Sequence, residues 1–553
     1  MFNLTLGQLL DIQAERYPNR DAVVYYFEKV RWTYSEFRDR VNKTAKGLLK
    51  MGIQEGDHVA IWATNVPEWI LFQFATARIG AVMVTVNTNY KVFELEYLLR
   101  QSDSTTLVMS KGFKDSDYVD HINQLCPTLK GSQAGKLNNP RLPFLKNIIF
   151  IGEEKYPGMY NWEDLYEMGK DISDDELIQR ESRLDPHQVI NMQYTSGTTG
   201  FPKGVMLTHH NITNNGAGIA DCMKLTHEDR LCIPVPLFHC FGCVLGVMAC
   251  VSKGAAMVFL ESFNPIKVME SVHNERCTGL HGVPTMFIAI LEHPDFEKYD
   301  FSSLRTGIMA GSPCPVKVME EVIDKMNMQE ITIAYGQTES SPVITQTRTD
   351  DPLEFRVSTV GRPLPNVEVR IVDPETGEDV PFGVQGELVT RGYGIMKGYY
   401  KMEEATRAAI DENGWLHTGD LATMDEKGYC KITGRLKDMI IRGGENIYPR
   451  EIEEFLYTHP AVKDVQVIGV PDKKYGEEVM AYLILKNNLD KIPSEEDIIQ
   501  FVKKGLSRFK APRYVRFLDA YPMTASGKIQ KYRLRDMAIE ELGLEDIANI
   551  ETA

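Results

Sequence analysis

The sequence has no long hydrophobic run and no excess of basic side chains. Its longest apolar stretch, residues 240–251, has 12 residues, whereas a helix that spans a bilayer needs about 20, so we predict no transmembrane segment. The 77 acidic side chains outnumber the 61 basic ones, which gives a formal net charge of −16. Because nucleic-acid binding needs a basic footprint, this balance argues against nucleic acid as the main partner. It leaves room for a small anionic ligand held by a few local Lys and Arg side chains.

Cysteine is scarce, and the N-terminus carries no export signal. Nine cysteines, an odd number scattered from Cys126 to Cys430, do not form the pattern of a disulfide framework. Cys240 and Cys243 have the CxxC spacing, but their flanks are apolar and no second pair follows, so we interpret them as buried small hydrophobic residues. Residues 1–4 lack the basic segment of a signal peptide. We therefore predict a cytoplasmic protein, with peripheral membrane contact and homodimer formation left open.

The length of 553 residues predicts several domains, since a domain usually has about 100–200 residues. With 43% hydrophobic and 25% charged residues, the composition is that of a folded globular protein. Strand-like apolar segments alternate with helical ones over residues 58–109, and the alternation resumes over residues 189–335. This βαβ rhythm is typical of mainly parallel sheets covered by helices. We predict two such sheets.

The pattern changes after about residue 355. Alternation of period two and Gly-rich turn sequences continue to about residue 430, which predicts a small antiparallel sheet or a β-barrel-like subdomain. Beyond residue 437, helical and strand-like segments alternate in a compact α+β unit. We therefore predict an α/β fold with a large N-terminal domain (residues 1–434, with the β-rich subdomain at about 355–430), a boundary at 435–437 and a small C-terminal domain (438–553).

The most informative segment is YTSGTTGFPKG at residues 194–204, directly after a predicted strand. Its glycines let backbone N–H groups turn towards an anion, its hydroxyl side chains add donors, and its lysine adds a positive charge. The spacing is not that of a P-loop NTPase. A flexible linker is the alternative, but linkers are rarely placed between an apolar strand and a helix. The segment predicts a phosphate-binding loop with the candidate residues Thr195, Ser196, Gly197, Thr198, Thr199, Gly200 and Lys203.

Further short motifs follow in one order along the chain. They are PLFHCFG (236–242), YGQTE (335–339), TGD (418–420), GRLKD (434–438), RGGENIYP (442–449) and SGK (526–528). Together with the segment at 194–204 they resemble the adenylate-forming superfamily, which includes acyl-CoA synthetases, adenylation domains and luciferases. The resemblance covers essentially the whole chain, and the order of the motifs is far more specific than any one of them. The set is most similar to medium- to long-chain fatty acyl-CoA synthetases.

The resemblance implies three ligands, namely ATP, Mg²⁺ and coenzyme A. It implies that Glu339 binds Mg²⁺, and a carboxylate after a strand and a glycine also suits a hard cation beside phosphates. The alternative is a glutamate that stabilises the N-terminus of a helix. The resemblance further implies that Asp420 and Arg435 bind the ribose. It places Lys437 at the hinge about which a mobile C-terminal domain turns.

Lys528 follows Ala525-Ser-Gly in a flexible tip, from which a lysine can reach phosphate and carboxylate oxygens. From the residues alone it is a surface lysine; the resemblance makes it the adenylation catalyst, with Glu339 and Thr198 as further catalytic residues. His239 lies in an apolar run, where a core histidine is the ordinary interpretation, and the resemblance places it beside the substrate carboxylate as a positioning residue. The resemblance assigns to the adenine, acyl and glycine-loop sites His281, Gly311, Ser312, Tyr335, Gly336, Thr338, Gly443 and Gly444.

The resemblance implies a reaction in two halves. A carboxylate attacks the α-phosphate of ATP to form an acyl-adenylate and pyrophosphate, and coenzyme A then displaces AMP to form an acyl-CoA. An aryl-acid CoA ligase and an adenylation enzyme that loads a carrier protein are the alternatives, and no motif distinguishes a luciferase-type oxygenase. A non-catalytic nucleotide-binding scaffold is disfavoured, because Lys203, Glu339 and Lys528 are all present.

The sequence indicates the class of the acyl substrate and a candidate binding site for coenzyme A, but not the substrate itself. Residues 240–250, with Gly282 and Gly311, are apolar and small, which predicts a deep pocket for an aliphatic or aryl tail. The absence of Arg and Lys from residues 236–251 disfavours a dicarboxylate. Six basic residues without an acidic one are a candidate dock for the phosphates of coenzyme A, with a solvated surface as the equal alternative: Lys503, Lys504, Arg508, Lys510, Arg513 and Arg516.

Overall fold

The computed structural model describes residues 1–195, 202–311, 314–442, 445–473, 475–487, 489, 491–506, 508–524 and 528–548. The chain divides into two compact units. The first consists of Met1–Val369 with Thr390–Leu416, and the second of Arg370–Val389 with His417–Ala553. Among the described residues, no helix is long and apolar enough to cross a membrane.

The strands are, in chain order, β1 (Asp21–Tyr25), β2 (Val30–Thr33), β3 (His58–Trp62), β4 (Val82–Thr85), β5 (Thr106–Met109), β6 (Gly112–Phe113), β7 (Ser116–Asp117), β8 (Asn147–Phe150), β9 (Tyr160–Asn161), β10 (Val189–Thr195), β11 (Lys203–Thr208), β12 (Arg230–Ile233), β13 (Ala256–Phe259), β14 (Gly279–Gly282), β15 (Thr306–Ala310), β16 (Glu330–Gly336), β17 (Val343–Gln346), β18 (Arg362–Pro363), β19 (Val367–Val372), β20 (Gly386–Gly392), β21 (Gly398–Tyr399), β22 (Leu416–Met424), β23 (Cys430–Arg435), β24 (Ile440–Arg442), β25 (Glu445–Ile447), β26 (Val462–Asp472), β27 (Gly476–Leu485) and β28 (Tyr514–Phe517).

The α-helices are α1 (Leu6–Arg16), α2 (Tyr34–Lys50), α3 (Pro67–Ile79), α4 (Val92–Gln101), α5 (Tyr118–Leu125), α6 (Trp162–Gly169), α7 (Asp174–Glu181), α8 (His209–Cys222), α9 (Ala249–Lys253), α10 (Pro265–Glu275), α11 (Pro284–Leu291), α12 (Val316–Lys325), α13 (Leu353–Ser358), α14 (Glu403–Ala409), α15 (Pro449–Leu456), α16 (Glu495–Gly505), α17 (Lys531–Leu542) and α18 (Glu545–Ala548). Short 3₁₀ helices cover Pro127–Gly131, Phe296–Lys298, Thr338–Ser340, Leu436–Asp438 and Arg508–Lys510, and a π-helix covers Phe241–Met248.

The first unit contains two large sheets whose central strands are parallel. One has nine strands in the order β18-β17-β16-β15-β14-β12-β13-β1-β2, and the other has eight in the order β21-β11-β10-β4-β3-β5-β8-β9. Antiparallel pairs lie only towards the ends of these sheets, as between β1 and β2 and between β10 and β11. The central strands β4 and β13 are buried along their length, and β3 is buried except at His58, as expected of strands that have helices on both faces. The prediction of two helix-covered, mainly parallel sheets is confirmed.

The two sheets do not coincide with the two stretches of βαβ rhythm. β10, the first strand of the second stretch, pairs in parallel with β4 of the first stretch, with Met192 beside Val84. The N-terminal strand β1 pairs in parallel with β13, with Val24 beside Val258. Sequence order therefore does not determine sheet membership, because the same apolar pattern suits a central position in either sheet.

The β-rich region forms a four-stranded sheet in the order β19-β20-β22-β23. Its strand order has two ends, β19 and β23, so among the described residues the predicted small sheet is present rather than a closed barrel. The second unit also holds a sheet in the order β25-β24-β27-β26, in which β28 joins β27. The core of this α+β part includes Ile452 of α15, Val465 of β26 and Val502 of α16, all fully buried.

Local sequence explains where several helices begin. Thr5 and Thr33 each form a capping box, in which the threonine hydroxyl accepts a backbone N–H and the side chain of Gln8 or Glu36 accepts one in return. α3 begins with Pro67, whose fixed φ suits the first helical position. The division into units falls at residues 369/370, 389/390 and 416/417, so the predicted hinge at 435–437 stays a prediction.

Candidate active site

The ends of the predicted phosphate-binding loop are held by an antiparallel pair of strands. Thr195, the last residue of β10, is the cross-strand partner of Lys203, the first residue of β11. The Tyr97 hydroxyl of α4 donates to the carbonyl oxygen of Pro202 across 3.0 Å. The loop candidates Ser196, Gly197, Thr198, Thr199 and Gly200 lie outside the described residues. What the structure places is therefore the base of the loop, at the end of a sheet strand.

Glu339 lies in the 3₁₀ turn after β16, at the carboxyl end of a parallel strand, where α/β sheets commonly bind ligands. It follows buried Thr338 and is itself half-buried. A Cβ at Gly336 would lie 1.8 Å from the carbonyl oxygen of Pro342, so only glycine fits at that position. Tyr335, the candidate for adenine contact, is half-buried at the same strand end.

The structure brings Lys203 and Glu339 to one tyrosine that the sequence did not indicate. Tyr399 donates its hydroxyl hydrogen to Glu339 Oε1 across 2.8 Å, and Lys203 Nζ lies 4.7 Å from the centroid of the Tyr399 ring. β21 brings Tyr399 there by pairing with β11, with Tyr399 beside Val205. Burial, and then the charge of Glu339, raises the pKa of Tyr399 far above its usual value, so the phenol stays a proton donor. No periodic pattern in the sequence links residue 399 to residues 203 and 339. The sequence offered little to identify Tyr399 as a site residue beyond its position directly after Gly398.

His239 lies in the turn that precedes the π-helix. Its Nδ1 accepts the backbone N–H of Phe241 across 3.1 Å, so the neutral ring carries its hydrogen on Nε2. The side chain is half-buried rather than sealed in the core. The interaction orients the ring, as a substrate-positioning residue requires, and that role stays a prediction.

The two cysteines of the CxxC pattern are buried and share one amide side chain. Cys240 Sγ donates to Gln193 Oε1 across 2.8 Å, and Gln193 Nε2 donates to Cys243 Sγ across 3.2 Å. Burial raises the pKa of the Cys243 thiol, so it is no thiolate nucleophile. The pair connects the turn after His239 to β10, the strand that leads into the phosphate-binding segment.

His281, which the resemblance assigned to the lining of the acyl or adenine site, keeps that assignment as a prediction, and its ring nitrogens have partners within the protein. The residue is fully buried on β14; its Nε2 donates to the carbonyl oxygen of Leu245 across 3.0 Å, and its Nδ1 accepts the N–H of Ile308 across 3.2 Å. Burial lowers its pKa to about 4, so the ring is neutral. Both ring nitrogens are therefore used within the protein. The resemblance could not show this, because it depends on how three elements meet.

The small residues near the π-helix lie in a closely packed part of the first unit. All eight residues of the π-helix are buried. A Cβ at Gly242 would lie 2.4 Å from the carbonyl oxygen of Pro236, and one at Gly282 would lie 3.0 Å from the Phe287 ring. Neighbouring atoms therefore lie close beside both glycines, and the acyl pocket that includes Gly282 stays a prediction. Gly311 is exposed after β15 and has a φ of 90°, which favours glycine; Ser312 lies outside the described residues.

In the second unit, Asp420 and Arg435 are cross-strand partners on β22 and β23. Arg435 Nε donates to Asp420 Oδ1 across 2.8 Å, and the side chain of Asp420 is 7% exposed against 52% for Arg435. The Thr418 hydroxyl accepts the N–H of Asp420 across 3.1 Å, and a carboxylate oxygen of Glu387 accepts the N–H of Gly419 across 3.0 Å. The TGD turn is thus firmly held, and it joins two residues that the resemblance assigned to one ligand group.

Lys528 lies outside any helix, and two hydrogen bonds join it to Thr524. The Thr524 N–H donates to the carbonyl oxygen of Lys528 across 2.7 Å, and the Lys528 N–H donates to the Thr524 hydroxyl across 3.0 Å. Lys437 is exposed in the 3₁₀ turn Leu436–Asp438. Gly443 and Gly444 lie outside the described residues, between β24 and β25.

Half of the basic cluster at residues 503–516 is already paired with carboxylates. Lys510 contacts Glu451 at 2.7 Å, Arg513 contacts Asp472 at 2.9 Å, and Arg516 contacts Glu495 at 3.0 Å. Within the described part of the chain, the exposed basic residues of this cluster without an ion pair are Lys503, Lys504 and Arg508. The candidate dock for coenzyme A therefore narrows to these three.

Comparison with known proteins identifies the family. The model described as "AMP-binding enzyme" matches residues 10–400, and the model described as "AMP-binding enzyme C-terminal domain" matches residues 451–528. The chain is 60% identical over 544 residues to the "Putative acyl-CoA synthetase YngI" of Bacillus subtilis (strain 168), with 98% of this chain and 99% of that protein covered. It is 43% identical over 550 residues to the mitochondrial medium-chain acyl-CoA ligase ACSF2 of Mus musculus, with 98% of this chain and 89% of that protein covered.

A solved structure agrees with this result. The anthranilate CoA ligase AuaEII in complex with anthranoyl-AMP has a TM-score of 0.83 to this chain at 25% sequence identity, with 98% of this chain and 99% of that chain covered. The chain therefore belongs to the AMP-binding enzyme family, in the acyl-CoA synthetase and ligase branch of the adenylate-forming superfamily. The resemblance that the motifs indicated is confirmed.

Proposed function

We propose that the protein is an ATP-dependent acyl-CoA synthetase that activates a medium- to long-chain fatty acid and transfers the acyl group to coenzyme A. The observation that carries the proposal is that Lys203 and Glu339, 136 residues apart in the sequence, both contact Tyr399. The names of the two relatives, an acyl-CoA synthetase and a medium-chain ligase, support the substrate class.

In the first half-reaction, an oxygen of the fatty acid carboxylate forms a bond to the α-phosphorus of ATP. The bond from that phosphorus to the bridging oxygen of the β-phosphate breaks, and pyrophosphate leaves with the electron pair. We assign the β- and γ-phosphates to Lys203 and the segment 195–200, and the ribose to Asp420 and Arg435. Lys528 neutralises negative charge that develops at the reacting centre, which is the usual role of a positioned cation in such a step.

The donor set at Glu339 fits Mg²⁺, a hard cation that takes oxygen ligands and is usually held by one or two carboxylates together with substrate phosphates. Within the described ranges, no group of three or more His, Cys, Asp or Glu side chains could hold a metal by itself. Bound Mg²⁺ supplies positive charge that offsets the charge of the phosphates. Glu339 would hold it, with one carboxylate oxygen oriented by Tyr399.

In the second half-reaction, the thiol sulfur of coenzyme A attacks the acyl carbonyl carbon. The carbon–sulfur bond forms, the bond from the carbonyl carbon to the phosphate oxygen breaks, and AMP leaves with the electron pair while the thiol proton is released. We assign this half to Gly443 and Gly444, the hinge to Lys437, and the phosphates of coenzyme A to the three exposed basic residues Lys503, Lys504 and Arg508. A cytoplasmic location stays a prediction from the sequence.

The experiment that tests the proposal is CoA-dependent AMP formation against acetate, straight-chain acids from C4 to C16, benzoate and 4-coumarate. We expect a maximum between C6 and C16 that requires coenzyme A. A maximum on benzoate or 4-coumarate would instead establish the aryl-acid ligase, which the likeness to an anthranilate CoA ligase keeps as the second candidate. Pyrophosphate release without a thioester would contradict the synthetase and favour carrier loading.

A further inference from the structure

The two opposite charges of the first unit's site contact the same neutral side chain. Tyr399 donates to Glu339 Oε1 across 2.8 Å, and its ring centroid lies 4.7 Å from Lys203 Nζ. In the described part of the chain, Lys203 and Glu339 form no ion pair with each other. A carboxylate and an ammonium attract each other more strongly in a half-buried site than in bulk water, because the effective dielectric constant is lower there. A direct pair would cancel both charges before ATP arrives.

The backbone holds Tyr399 firmly in this position. Its N–H donates to the Thr406 hydroxyl across 2.9 Å, and β21 places it beside Val205 of the strand that Lys203 begins. The N–H of Met396, three residues earlier, donates to the carbonyl oxygen of Glu339 across 2.9 Å. The side chain of Tyr399 is 8% exposed. The segment that carries Tyr399 is therefore joined by main-chain contacts to Glu339 and to the strand of Lys203.

At the next residue, Tyr400, a tyrosine again contacts a lysine and a carboxylate, but here the two charged groups also contact each other. The Tyr400 hydroxyl donates to Asp103 Oδ2 across 2.9 Å, and Lys401 Nζ lies 5.3 Å from the centroid of the Tyr400 ring. There the lysine and the carboxylate of Asp103 are in direct contact as an ion pair. A tyrosine between a lysine and a carboxylate thus does not by itself prevent pairing. Around Tyr399, by contrast, Lys203 and Glu339 form no ion pair with each other in the described part of the chain.

We propose that Tyr399 is a positioning residue that keeps Glu339 and Lys203 apart, so that the carboxylate stays available for the metal of metal–ATP and the ammonium for the phosphates. This inference rests on the proposed function. The phenol O–H orients the carboxylate without cancelling its charge, and one oxygen remains for a hard cation. The face of the ring holds the ammonium by a cation–π contact, which leaves its N–H donors for phosphate oxygens.

The test is equilibrium binding of ATP to the full chain, measured by calorimetry with Mg²⁺ and again with EDTA. Tyr399→Phe removes the hydroxyl but keeps the ring, so we expect Mg·ATP to bind about tenfold more weakly, while metal-free ATP changes less than about twofold. Tyr399→Leu also removes the ring and lets Lys203 approach Glu339, so metal-free ATP should lose about tenfold as well. Equal losses in both media for both variants would overturn the proposal.

The matched control is Tyr400→Phe, which removes the same kind of hydroxyl–carboxylate contact one residue away and should leave both dissociation constants within about twofold of wild type. Circular dichroism and thermal melting verify that each variant is folded. The double variant Glu339→Gln/Tyr399→Phe should bind Mg·ATP no more weakly than Glu339→Gln alone, because the hydroxyl then has no charged carboxylate to orient. Additive losses would overturn the proposal.

Glu339→Gln separates this inference from the proposed function. If that variant binds Mg·ATP as wild type does, Glu339 is not the metal ligand and the functional assignment of the residue is wrong. If it loses the response to Mg²⁺ while Tyr399→Phe retains it, the function stands and the positioning role of Tyr399 is wrong. Loss of the response in both single variants supports both.

Discussion

Two carboxylates that the sequence assigned to ligand binding are held by different kinds of partner. Glu339 in the first unit accepts from the neutral phenol of Tyr399 at 2.8 Å, whereas Asp420 in the second unit contacts the Arg435 guanidinium at 2.8 Å. A carboxylate whose hydrogen-bond partner is neutral keeps its charge for a cation. A carboxylate has about four lone-pair sites, so one that is paired with a cation can also accept hydrogen bonds from neutral hydroxyl groups. The partner of a carboxylate therefore indicates its ligand class, which the carboxylate alone does not.

The largest effect should come from Lys528, whose charge has to act on the reacting atoms rather than on a ligand that is already bound. Lys528→Ala should lower the rate of adenylation by about 10²–10³-fold and spare thiolysis of supplied acyl-adenylate, because only the first half forms and breaks bonds at the α-phosphorus, where we assign Lys528. Pyrophosphate release and thioester formation measure the two halves separately. Gly444→Leu is the matched counterpart and should do the reverse. Equal loss of both halves in both variants would contradict the division of labour.

Glu339→Gln tests the carboxylate whose hydrogen-bond partner is neutral. The amide can still accept the Tyr399 hydroxyl hydrogen but carries no charge, so we expect about a 10²-fold loss of adenylation rate. The variant should respond only weakly to Mg²⁺ in a titration of pyrophosphate release at saturating ATP. A Mg²⁺ response like that of the wild type would contradict the assignment of Glu339 to the metal. Glu339 would then be no more suited to a cation than Asp420.

Asp420→Asn tests the carboxylate that is paired with a guanidinium. The test compares the binding of two nucleotides, one with and one without the ribose hydroxyls. Wild type should bind ATP about tenfold more tightly than 2′,3′-dideoxy-ATP, because a carboxylate accepts hydrogen bonds from the ribose hydroxyls. In the variant this preference should shrink towards twofold, measured as the ratio of the two dissociation constants. Retention of the full preference would show that Asp420 does not contact the ribose. The exposed Arg435 can turn to water, so only a small loss of stability is expected.

A third carboxylate shows that a cationic partner does not always prevail over burial. Glu181 is in contact with buried Arg78 at 3.1 Å, yet burial raises its pKa to about 7. In the folded state Glu181 keeps its proton up to about pH 7, whereas in the unfolded state it releases the proton above its ordinary pKa near 4.5. Protonated Glu181 therefore stabilises the folded state fully below pH 4.5, and this contribution is lost as the pH rises through 7. Glu181→Gln should therefore gain about 2–4 °C in Tm relative to wild type between pH 5 and pH 8. Parallel Tm profiles of the two proteins would contradict this.

Much of the fold and half of the site follow from local pattern. Buried parallel strands are continuous apolar runs, so β3, β4 and β5 could be located from the sequence alone. The motif positions of Lys203 and Glu339 could likewise be assigned, because a chemical role restricts the residue type at a given place in the sequence. The pairing of Asp420 with Arg435 was indicated only by the resemblance, and the hairpin of β22 and β23 provides it.

What the sequence by itself determined is the class of secondary structure, the family and the residue types that carry charge. Only the tertiary structure decided that β10 pairs with β4, that Tyr399 lies between Lys203 and Glu339, and that both nitrogens of His281 are used by the backbone. The physical reason is that these contacts join segments tens to hundreds of residues apart. Sheet register and side-chain contacts of that kind depend on how all strands pack together, whereas hydrophobic periodicity and turn chemistry are properties of neighbouring residues.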